Sequence, residues 1–498
     1  MQLRRRSLFL GTSALVLGGA AMPAENALTV AIPSNINTLD PAKTKLGEEY
    51  IICYLVFSGV TDLDRAGRAA PDLAESWQAS EDLKSWTFKL RSGVKFHNGR
   101  PLEAADVKAT IERVMDKATA SVARVNFDIV KSIEIPEPLT VRFNLNIPYS
   151  GFAEILADRQ TRILPRGSFD TIAAEPIGTG PFKFVLSRPS DRIVLAKNPD
   201  YFAPGTPKLD RVVLRIMPET AAQVAAIKTG EVDLIWNLAP EVVSQFKNNP
   251  KIHLDSVATS TWDGLIMNGA HKPFDDIRVR RAVELALDKA ALVQFALYGQ
   301  GSASHSMIPP GSAYYNSDFP IPAPDVPRAK KLLAEAGFPN GFTATLYLPS
   351  GRPTRVGLGL GAAQFLQAAG IKVQMQQVPW DQFVKEIEGK AAFYTDGFYS
   401  RPTIDTSIYP FYDSAGSWNT TLWNYKNPKM DHVLDAARGA RSDAERVKLY
   451  KQFQVLAVDE PAGVIPYVTN HVNALSDRVH DFHSSPMMWL DLRQVTVS

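Results

Sequence analysis

Short apolar runs and amphipathic segments alternate along this chain. Aromatic and polar residues take turns from Trp77 to Arg91, which is the period of two expected of a half-buried strand. Apolar residues recur every three or four positions from Asp276 to Leu287, which predicts a helix with one buried face. The pattern predicts a strand over Phe342–Leu348, a helix over Leu358–Ala369 with Gly370 just beyond it, and a second strand over Ile371–Val378. This order of elements predicts an α/β fold.

The same patterns predict elements elsewhere. The loop Pro349–Arg355 joins a strand ending at Leu348 to a helix beginning near Gly357. The further predicted strands are Leu28–Ile32, Val130–Glu134, Thr140–Leu145, Phe182–Leu186, Ile193–Lys197, Val212–Ile216, Val232–Ile235 and Leu265–Asn268, and the further predicted helices are Glu48–Val60, Glu103–Met115, Glu219–Thr229 and Arg328–Ala336.

Composition narrows the class of protein. The 498 residues suffice for two or three folding units. Lys and Arg (54) nearly balance Asp and Glu (52), so the chain lacks the basic excess of a nucleic-acid-binding face. The one cysteine, Cys53, lies in the apolar run Ile51–Phe57, where we expect a buried, unreactive thiol and no intramolecular disulfide.

The N-terminus has the pattern of an export signal. Three arginines, Arg4 to Arg6, precede a short apolar stretch, and small residues follow at positions 20–24. This pattern predicts a cleaved signal peptide over residues 1–24 and a periplasmic mature protein. The Arg5–Phe9 segment is typical of a twin-arginine signal, although the general secretory route stays open. No other segment is long and apolar enough to span a bilayer, so we expect the mature protein to be soluble.

The sequence contains no complete motif that indicates catalysis or metal binding. His480 and His483 are not accompanied by the Glu of a zinc-protease helix, so we predict no metal site there. The glycines of Gly357–Ala362 imitate a dinucleotide fingerprint, but a loop of eight residues separates them from the strand and Ala362 occupies the third glycine position. No Gly-x-Ser-x-Gly elbow is present. We therefore expect a protein that is not an enzyme and that holds no cofactor or metal.

Several motifs resemble one family and occur in its order. The chain is similar to the bacterial extracellular solute-binding proteins of the dipeptide, oligopeptide and nickel group, and the similarity extends over essentially the whole mature chain. One departure is Leu83, where the family often has Gly in a tighter turn. The matching segments are Leu39–Pro41, Trp86–Gly99, Leu102–Val107, Gly178–Phe182, Lys272–Ala282 and Ala329–Gly337.

The resemblance implies an architecture and a role. We expect a periplasmic-binding-protein-like α/β fold with two lobes and a ligand cleft between them. Residues 25–259 would form lobe I, including an inserted subdomain at about 60–170, residues 260–470 lobe II, and residues 471–498 a return to lobe I. The protein would capture a solute by hinge closure and deliver it to inner-membrane ABC permease subunits driven by cytoplasmic ATPases. A monomer is the usual state for the family.

The resemblance also suggests ligand-binding residues. An Arg-Pro pair in the matching loop holds a peptide carboxylate, which points to Arg352, since a guanidinium pairs bidentately with a carboxylate. Asp405, with Asp396 as second choice, matches the aspartate that pairs with a peptide α-ammonium. The further candidates are aromatic: Trp418, Tyr399, Trp262 and Trp380.

These residues predict a small zwitterionic ligand, of which a di- or oligopeptide fits best. An opine, a nickel chelate or an oligosaccharide remains an alternative within the family, and a secreted receptor without a transporter is a further one.

Overall fold

The computed structural model describes residues 26–64 and 67–498, so the predicted signal peptide lies outside the described residues. The strands are β1 Ala27–Ile32, β2 Thr61–Leu63, β3 Ala69–Pro71, β4 Ala74–Ala79, β5 Ser85–Leu90, β6 Val130–Glu137, β7 Thr140–Leu145, β8 Phe182–Arg188, β9 Arg192–Lys197, β10 Arg211–Ile216, β11 Leu234–Ile235, β12 Ile252–Met267, β13 Gly301–Ala303, β14 Phe342–Pro349, β15 Ile371–Val378, β16 Phe393–Phe398, β17 Val464–Ser476, β18 Val479–His480 and β19 Thr496–Val497.

Helices separate most of these strands. They are α1 Gly47–Val56, α2 Ala104–Met115, α3 Phe152–Ile155, α4 Thr220–Thr229, α5 Ile277–Ala286, α6 Lys289–Leu297, α7 Val326–Glu335, α8 Pro353–Ala368, α9 Trp380–Gln382, α10 Ile404–Tyr412, α11 Pro428–Gly439 and α12 Asp443–Asp459. Short 3-10 and π turns are Pro41–Lys43, Lys117–Thr119, Val122–Phe127, Arg159–Thr161, Pro240–Phe246, Phe383–Ile387 and Asn419–Trp423.

One large sheet organises the molecule. Its strand order is β15-β14-β16-β12-β17-β11-β1-β10-β9-β8, with β13 beside β17. The long strands β12 and β17 pair antiparallel along most of their length, so they connect the two halves of the sheet. Their register shifts between Ala258 and Trp262. We propose that the chain passes between the two lobes at this interruption, near the predicted boundary at residues 259 and 260.

A separate four-stranded sheet, β4-β5-β7-β6, lies in the segment predicted as an inserted subdomain. The single strand predicted over Trp77–Arg91 is wrong, because the structure divides it into the hairpin β4-β5. Leu83 lies in the turn with a positive φ of 56°, and the Ser80 hydroxyl accepts the N–H of Ser85 at 2.9 Å. The turn is therefore closed by side-chain hydrogen bonds although it lacks the glycine that favours this backbone conformation.

Helix α1 is buried almost throughout and packs against the loop that precedes β8. Gly178 and Gly180 approach the backbone of Val56 and Phe57 so closely that a Cβ atom at either glycine would overlap it. Cys53 is buried in this helix, and burial raises the pKa of its thiol to about 12. The thiol is thus protonated and unreactive at neutral pH, as the sequence predicts.

Candidate functional site

The turn between β14 and α8 positions an arginine at the edge of the large sheet. β14 ends at Pro349, Gly351 takes a φ of 80°, and Pro353 occupies the first turn of α8. Glycine tolerates this φ, and proline suits the first helical turn because it needs no N–H donor there. The helix thus begins at Pro353, not near Gly357 as predicted. Arg352 is left as the residue directly before it.

Arg355, one turn into α8, is bonded within the protein. Its guanidinium donates to Asp263 of β12 at 3.2 Å, to Asp396 of β16 at 2.7 Å and to the carbonyl oxygen of Gly397 at 2.5 Å. Both carboxylates are buried. Arg355 therefore ties α8 to the two strands that form the centre of this half of the sheet.

The group around Arg355 has more acids than bases. Burial raises the pKa of both Asp263 and Asp396, and Arg355 opposes that rise. Burial, followed by the charge of Asp396, raises the pKa of the neighbouring Glu388 to about 7. The pKa of Arg355 itself is raised by these acids. One guanidinium does not offset the repulsion among three neighbouring carboxyl groups, so Glu388 keeps its proton to a higher pH than an ordinary glutamate does.

Arg352 is in a different situation from Arg355. Its guanidinium carbon lies 4.3 Å from the centroid of the Trp380 ring, and Trp380 stacks in turn on Phe383 at 5.8 Å. In the described part of the chain, no acceptor atom forms a hydrogen bond or ion pair with the Arg352 side chain. The indole holds the guanidinium plane through a cation–π contact and leaves its N–H donors free for an external anion.

Tyr399 brings this corner against α1. Its ring meets the Tyr50 ring edge-on, with centroids 6.5 Å apart, and Tyr399 is still 38% exposed. Burial raises the pKa of Tyr399, and the charge of Glu48 raises it further while Arg352 lowers it. The Tyr50–Tyr399 pair therefore lies near Glu48 and Arg352. Here residues that precede β12 in the chain contact residues that follow it.

The comparisons with known proteins identify the class of this cleft. A model of the bacterial extracellular solute-binding proteins, family 5 (middle region), matches residues 68–419, which is more than half of the chain. The chain belongs to this family. The resemblance inferred from the motifs is thereby confirmed.

Curated relatives of this family 5 protein cover nearly its full length. The glutathione-binding protein GsiB of Escherichia coli (strain K12) is 31% identical over 492 residues, which are 96% of this chain and 95% of GsiB. GsiB of Shigella flexneri is 30% identical over the same shares of both chains. Both relatives are named as glutathione-binding proteins.

Solved structures confirm the predicted fold. The periplasmic binding protein AgaA of A. tumefaciens R10, in complex with agropinic acid, has a TM-score of 0.82 at 27% identity over 95% of this chain and 99% of AgaA. DppA of Helicobacter pylori, in complex with the peptide STSA, has a TM-score of 0.81 at 27% identity over 95% and 98%. The family 5 protein therefore has the two-lobed α/β fold of periplasmic binding proteins.

The carboxylate of Asp405 already accepts hydrogen bonds from other side chains of the protein. Arg438 donates to both of its oxygens at 3.0 and 3.2 Å, and the Tyr149 hydroxyl donates at 2.8 Å. A role for Asp405 in binding a ligand ammonium stays a prediction. Asp396 likewise bonds to Arg355 and faces Glu388.

The predicted tryptophans have different surroundings. Trp262 is buried and stacks on Trp423 at 6.1 Å, so it supports the wall of the second lobe from inside. Trp418 is half-buried against Phe398 at 4.8 Å. Trp380 is the platform under Arg352. The structure thus brings Arg352, Trp380, Tyr399 and Asp396 together, and places Asp405 in an internal network.

Sequence analysis did not single out three residues that the structure brings near Tyr399, namely Tyr50, Arg159 and Arg401. Arg401 belongs to the segment that contains Tyr399, so its charge in a loop was the one signal available. Tyr50 and Arg159 lie far away in sequence, and no local pattern connects them with Arg352.

Other features of the described residues do not compete with this cleft. A cavity of about 520 Å³ beside Lys272 and Phe338 and another of about 250 Å³ beside Asn419 and Tyr425 contain none of the predicted ligand residues in their linings. Within residues 26–64 and 67–498, no acid, histidine and cysteine group suits a metal ion. No described helix is long and apolar enough to cross a bilayer.

Proposed function

We propose that this family 5 protein is the solute-binding component of an ABC importer and that it closes on a small amino-acid-derived solute with at least one carboxylate. The observation that carries this proposal is Arg352, whose guanidinium lies over the Trp380 ring with its hydrogen-bond donors unused by the described protein groups. A free, oriented guanidinium at an interlobe cleft suits a carboxylate, because its fork matches both oxygens.

The ligands named for the relatives support this chemistry. Glutathione is named for GsiB, the peptide STSA for the DppA structure and agropinic acid for the AgaA structure. All three compounds contain a carboxylate next to polar groups. A di- or oligopeptide remains our first choice for this chain, and an opine is the second. A nickel chelate or an oligosaccharide makes less use of Arg352.

A ligand ammonium has two candidate partners in this protein. Asp405 is the one suggested by the family resemblance, but it is bonded to Arg438 and Tyr149. The charges of Glu48 and Arg352 both act on Tyr399, and no described group forms a hydrogen bond or ion pair with the Glu48 carboxylate. We favour Glu48 for the ammonium and keep Asp405 as the alternative.

The cellular setting follows the family. We propose export through the signal at residues 1–24, action as a periplasmic monomer, and delivery to permease subunits with cytoplasmic ATPases. We propose no catalytic activity and no cofactor. Replacing Arg5 and Arg6 by Lys tests the route, because a twin-arginine signal loses export with this change while a general secretory signal retains it.

A thermal-shift panel tests the proposed function. Mature protein is stripped of ligand by partial unfolding and refolding, then melted with dipeptides, tripeptides, glutathione, opine-like conjugates, oligosaccharides, and nickel with histidine. A ligand at a hundred times its Kd stabilises the folded state by about 2.7 kcal/mol, which gives a readable rise in Tm. We expect such a rise with a carboxylate-bearing amino-acid derivative. A rise with sugars alone contradicts the role of Arg352, and no rise at all contradicts solute binding.

A further inference from the structure

Two more arginines lie at the cleft without a bonded partner, on the other side of the tyrosine pair. Arg159 begins a 3-10 turn in the segment before β12, and Arg401 lies in the loop between β16 and α10. In the described part of the chain, neither guanidinium takes part in a hydrogen bond or an ion pair. Arg162, three residues after Arg159, is different because Asp72 lies 3.7 Å from it.

Tyr50 places the two arginines together. The guanidinium carbon of Arg159 lies 3.6 Å from the centroid of the Tyr50 ring, and Arg159 is only 4% exposed. The Tyr50 hydroxyl is within electrostatic range of both Arg159 and Arg401. The ring of Tyr50 also contacts Tyr399, two residues before Arg401.

The protein leaves this pair of positive charges poorly compensated. Burial lowers the pKa of Arg401, and the neighbouring charge of Arg159 lowers it further. Asp158 is the nearby acid, but it lies outside ion-pair distance of both arginines and one of its oxygens accepts the N–H of Gln160 at 2.8 Å. Two like charges that act on the same buried tyrosine are costly unless an anion joins them.

The loop that bears Arg401 is held at both ends. The N–H of Ser400 donates to the Thr261 hydroxyl at 3.1 Å, and Thr403 caps α10 by accepting the N–H of Thr406 at 2.9 Å. Arg401 is therefore presented by a fixed backbone, as a ligand-binding group requires.

We propose that Arg159 and Arg401 form a second carboxylate subsite, so that the solute is a dicarboxylate whose first carboxylate binds Arg352. This inference rests on the proposed function. The guanidinium of Arg159, held over the Tyr50 ring, leaves its N–H donors to a ligand, and the donors of Arg401 join them on the same carboxylate when the lobes close. Closure on a dicarboxylate thus removes the repulsion between lobes that the free protein retains.

Matched ligands that differ by one carboxylate test this subsite. Titration calorimetry compares alanyl-glutamate with alanyl-glutamine, and glutathione with its glycine amide, on wild type, Arg159→Gln, Arg401→Gln, Arg352→Gln and the remote exposed control Arg188→Gln. We expect at least one acid to bind wild type and Arg188→Gln ten-fold or more tightly than its amide. The ratio of the Kd of the amide to the Kd of the acid should approach one in Arg159→Gln and in Arg401→Gln.

The other outcomes separate the two proposals. Equal binding of acid and amide to wild type overturns the second subsite and leaves the proposed function intact. If the Kd ratio falls to one only in Arg352→Gln, the second subsite is also overturned. The carboxylate that distinguishes the acid from its amide then binds at Arg352. No binding of any of the four probes overturns the second subsite and the choice of a peptide as ligand, and the opine-like conjugates of the thermal-shift panel then decide the proposed function.

Thermal melts of the ligand-free variants separate a ligand role from a structural one. If Arg401 serves the ligand, Arg401→Gln removes an uncompensated charge, so its Tm is unchanged or higher than that of wild type. A clear fall in Tm would show that Arg401 supports the fold and would overturn the subsite.

Discussion

Arg352 and Arg355 lie one helical turn apart and have opposite tasks. Arg355 donates hydrogen bonds to Asp263, Asp396 and a carbonyl oxygen, so it holds α8 against β12 and β16. Arg352 rests on Trp380 and has its donors available. Arg355 fixes the start of α8, and this in turn fixes the direction in which the ligand arginine points.

Replacing these two arginines separates stability from binding. We expect Arg355→Met to lower the free energy of unfolding by about 3–5 kcal/mol, because it leaves two buried carboxylates without their cation. Arg352→Ala should change stability by less than about 0.5 kcal/mol. Urea unfolding measures both. Equal losses in the two variants would contradict the division of roles.

Glu388 gives the stability a specific dependence on pH. Burial and the charge of Asp396 raise its pKa from 4.5 to about 7. Between these values the folded protein holds a proton that the unfolded chain releases, so this group makes stability fall as pH rises. We expect the Tm of Glu388→Gln, relative to wild type, to increase from pH 4.5 to pH 7.5. Thermal melts of both proteins from pH 4.5 to pH 7.5 measure this difference in Tm. A difference that does not change with pH would contradict the raised pKa of Glu388.

At the residue scale, the sequence predicted Arg352 because the Arg-Pro pair is a local pattern. It did not predict the bonds of Arg355, since these depend on which residues of β12 and β16 lie side by side. The sequence did not predict the hydrogen-bond partners of Asp405 either. Tyr149 is 256 residues away, and its pairing requires the two lobes to meet.

The contact of α1 with the loop before β8 is the element-scale feature most sensitive to substitution. We expect Gly178→Ala to lower the free energy of unfolding by about 2–3 kcal/mol, because the new Cβ overlaps the backbone of Val56 and neither side can move cheaply. Gly439→Ala is the matched control, since a Cβ there meets nothing within 4 Å and the residue ends α11. It should be neutral or stabilising by up to about 1 kcal/mol.

Chemical denaturation of the two glycine variants measures this difference. Similar stabilities for Gly178→Ala and Gly439→Ala would contradict the close approach of the loop to α1.

Element prediction succeeded where periodicity was strong and local. β15 was predicted with its bounds at Ile371 and Val378, and α2, α4 and α5 within one or two residues. The hairpin β4-β5 was missed because a leucine, not a glycine, occupies its left-handed turn position. The full length of β12 was missed as well, since its first half has no alternation of apolar residues and is held by its pairing with β17.

Two polar contacts join residues that precede β12 to residues that follow it, away from Arg352. The Tyr149 hydroxyl donates to Asp405, and Arg446 of α12 lies 3.6 Å from Glu154 of α3. Tyr149 and Glu154 precede β12 in the chain, whereas Asp405 and Arg446 follow it. We propose that these contacts form when the two lobes meet and that they favour the closed state.

Loss of the Tyr149 contact should therefore weaken binding without touching the ligand. A hydrogen bond to a charged group contributes about 1.5–3 kcal/mol, so we expect Tyr149→Phe to raise Kd between about ten-fold and about 150-fold. The loss should be the same for a dipeptide and for its N-acetyl derivative, as measured by calorimetry. A loss confined to the free amine would show instead that this network binds the ligand ammonium, as the family resemblance suggests for Asp405.

At the scale of the whole molecule, the order of the motifs was sufficient to predict a two-lobed binding protein, because the family shares that fold over its length. The electrostatic character of the cleft was not predictable. Tyr50, Arg159 and Arg401 come from separate parts of the chain and become one surface only in the folded protein.

Small-angle X-ray scattering on the ligand-stripped protein tests the central claim most directly, namely that the lobes close on a carboxylate-bearing solute at Arg352. The radius of gyration is measured with and without the tightest ligand of the panel, at three times its Kd for wild type, for wild type and for Arg352→Ala. Truncating the arginine should weaken binding about thirty-fold, equivalent to about 2 kcal/mol. We predict that the ligand reduces the radius of gyration of wild type and leaves that of Arg352→Ala unchanged. An equal reduction in both proteins would contradict the account.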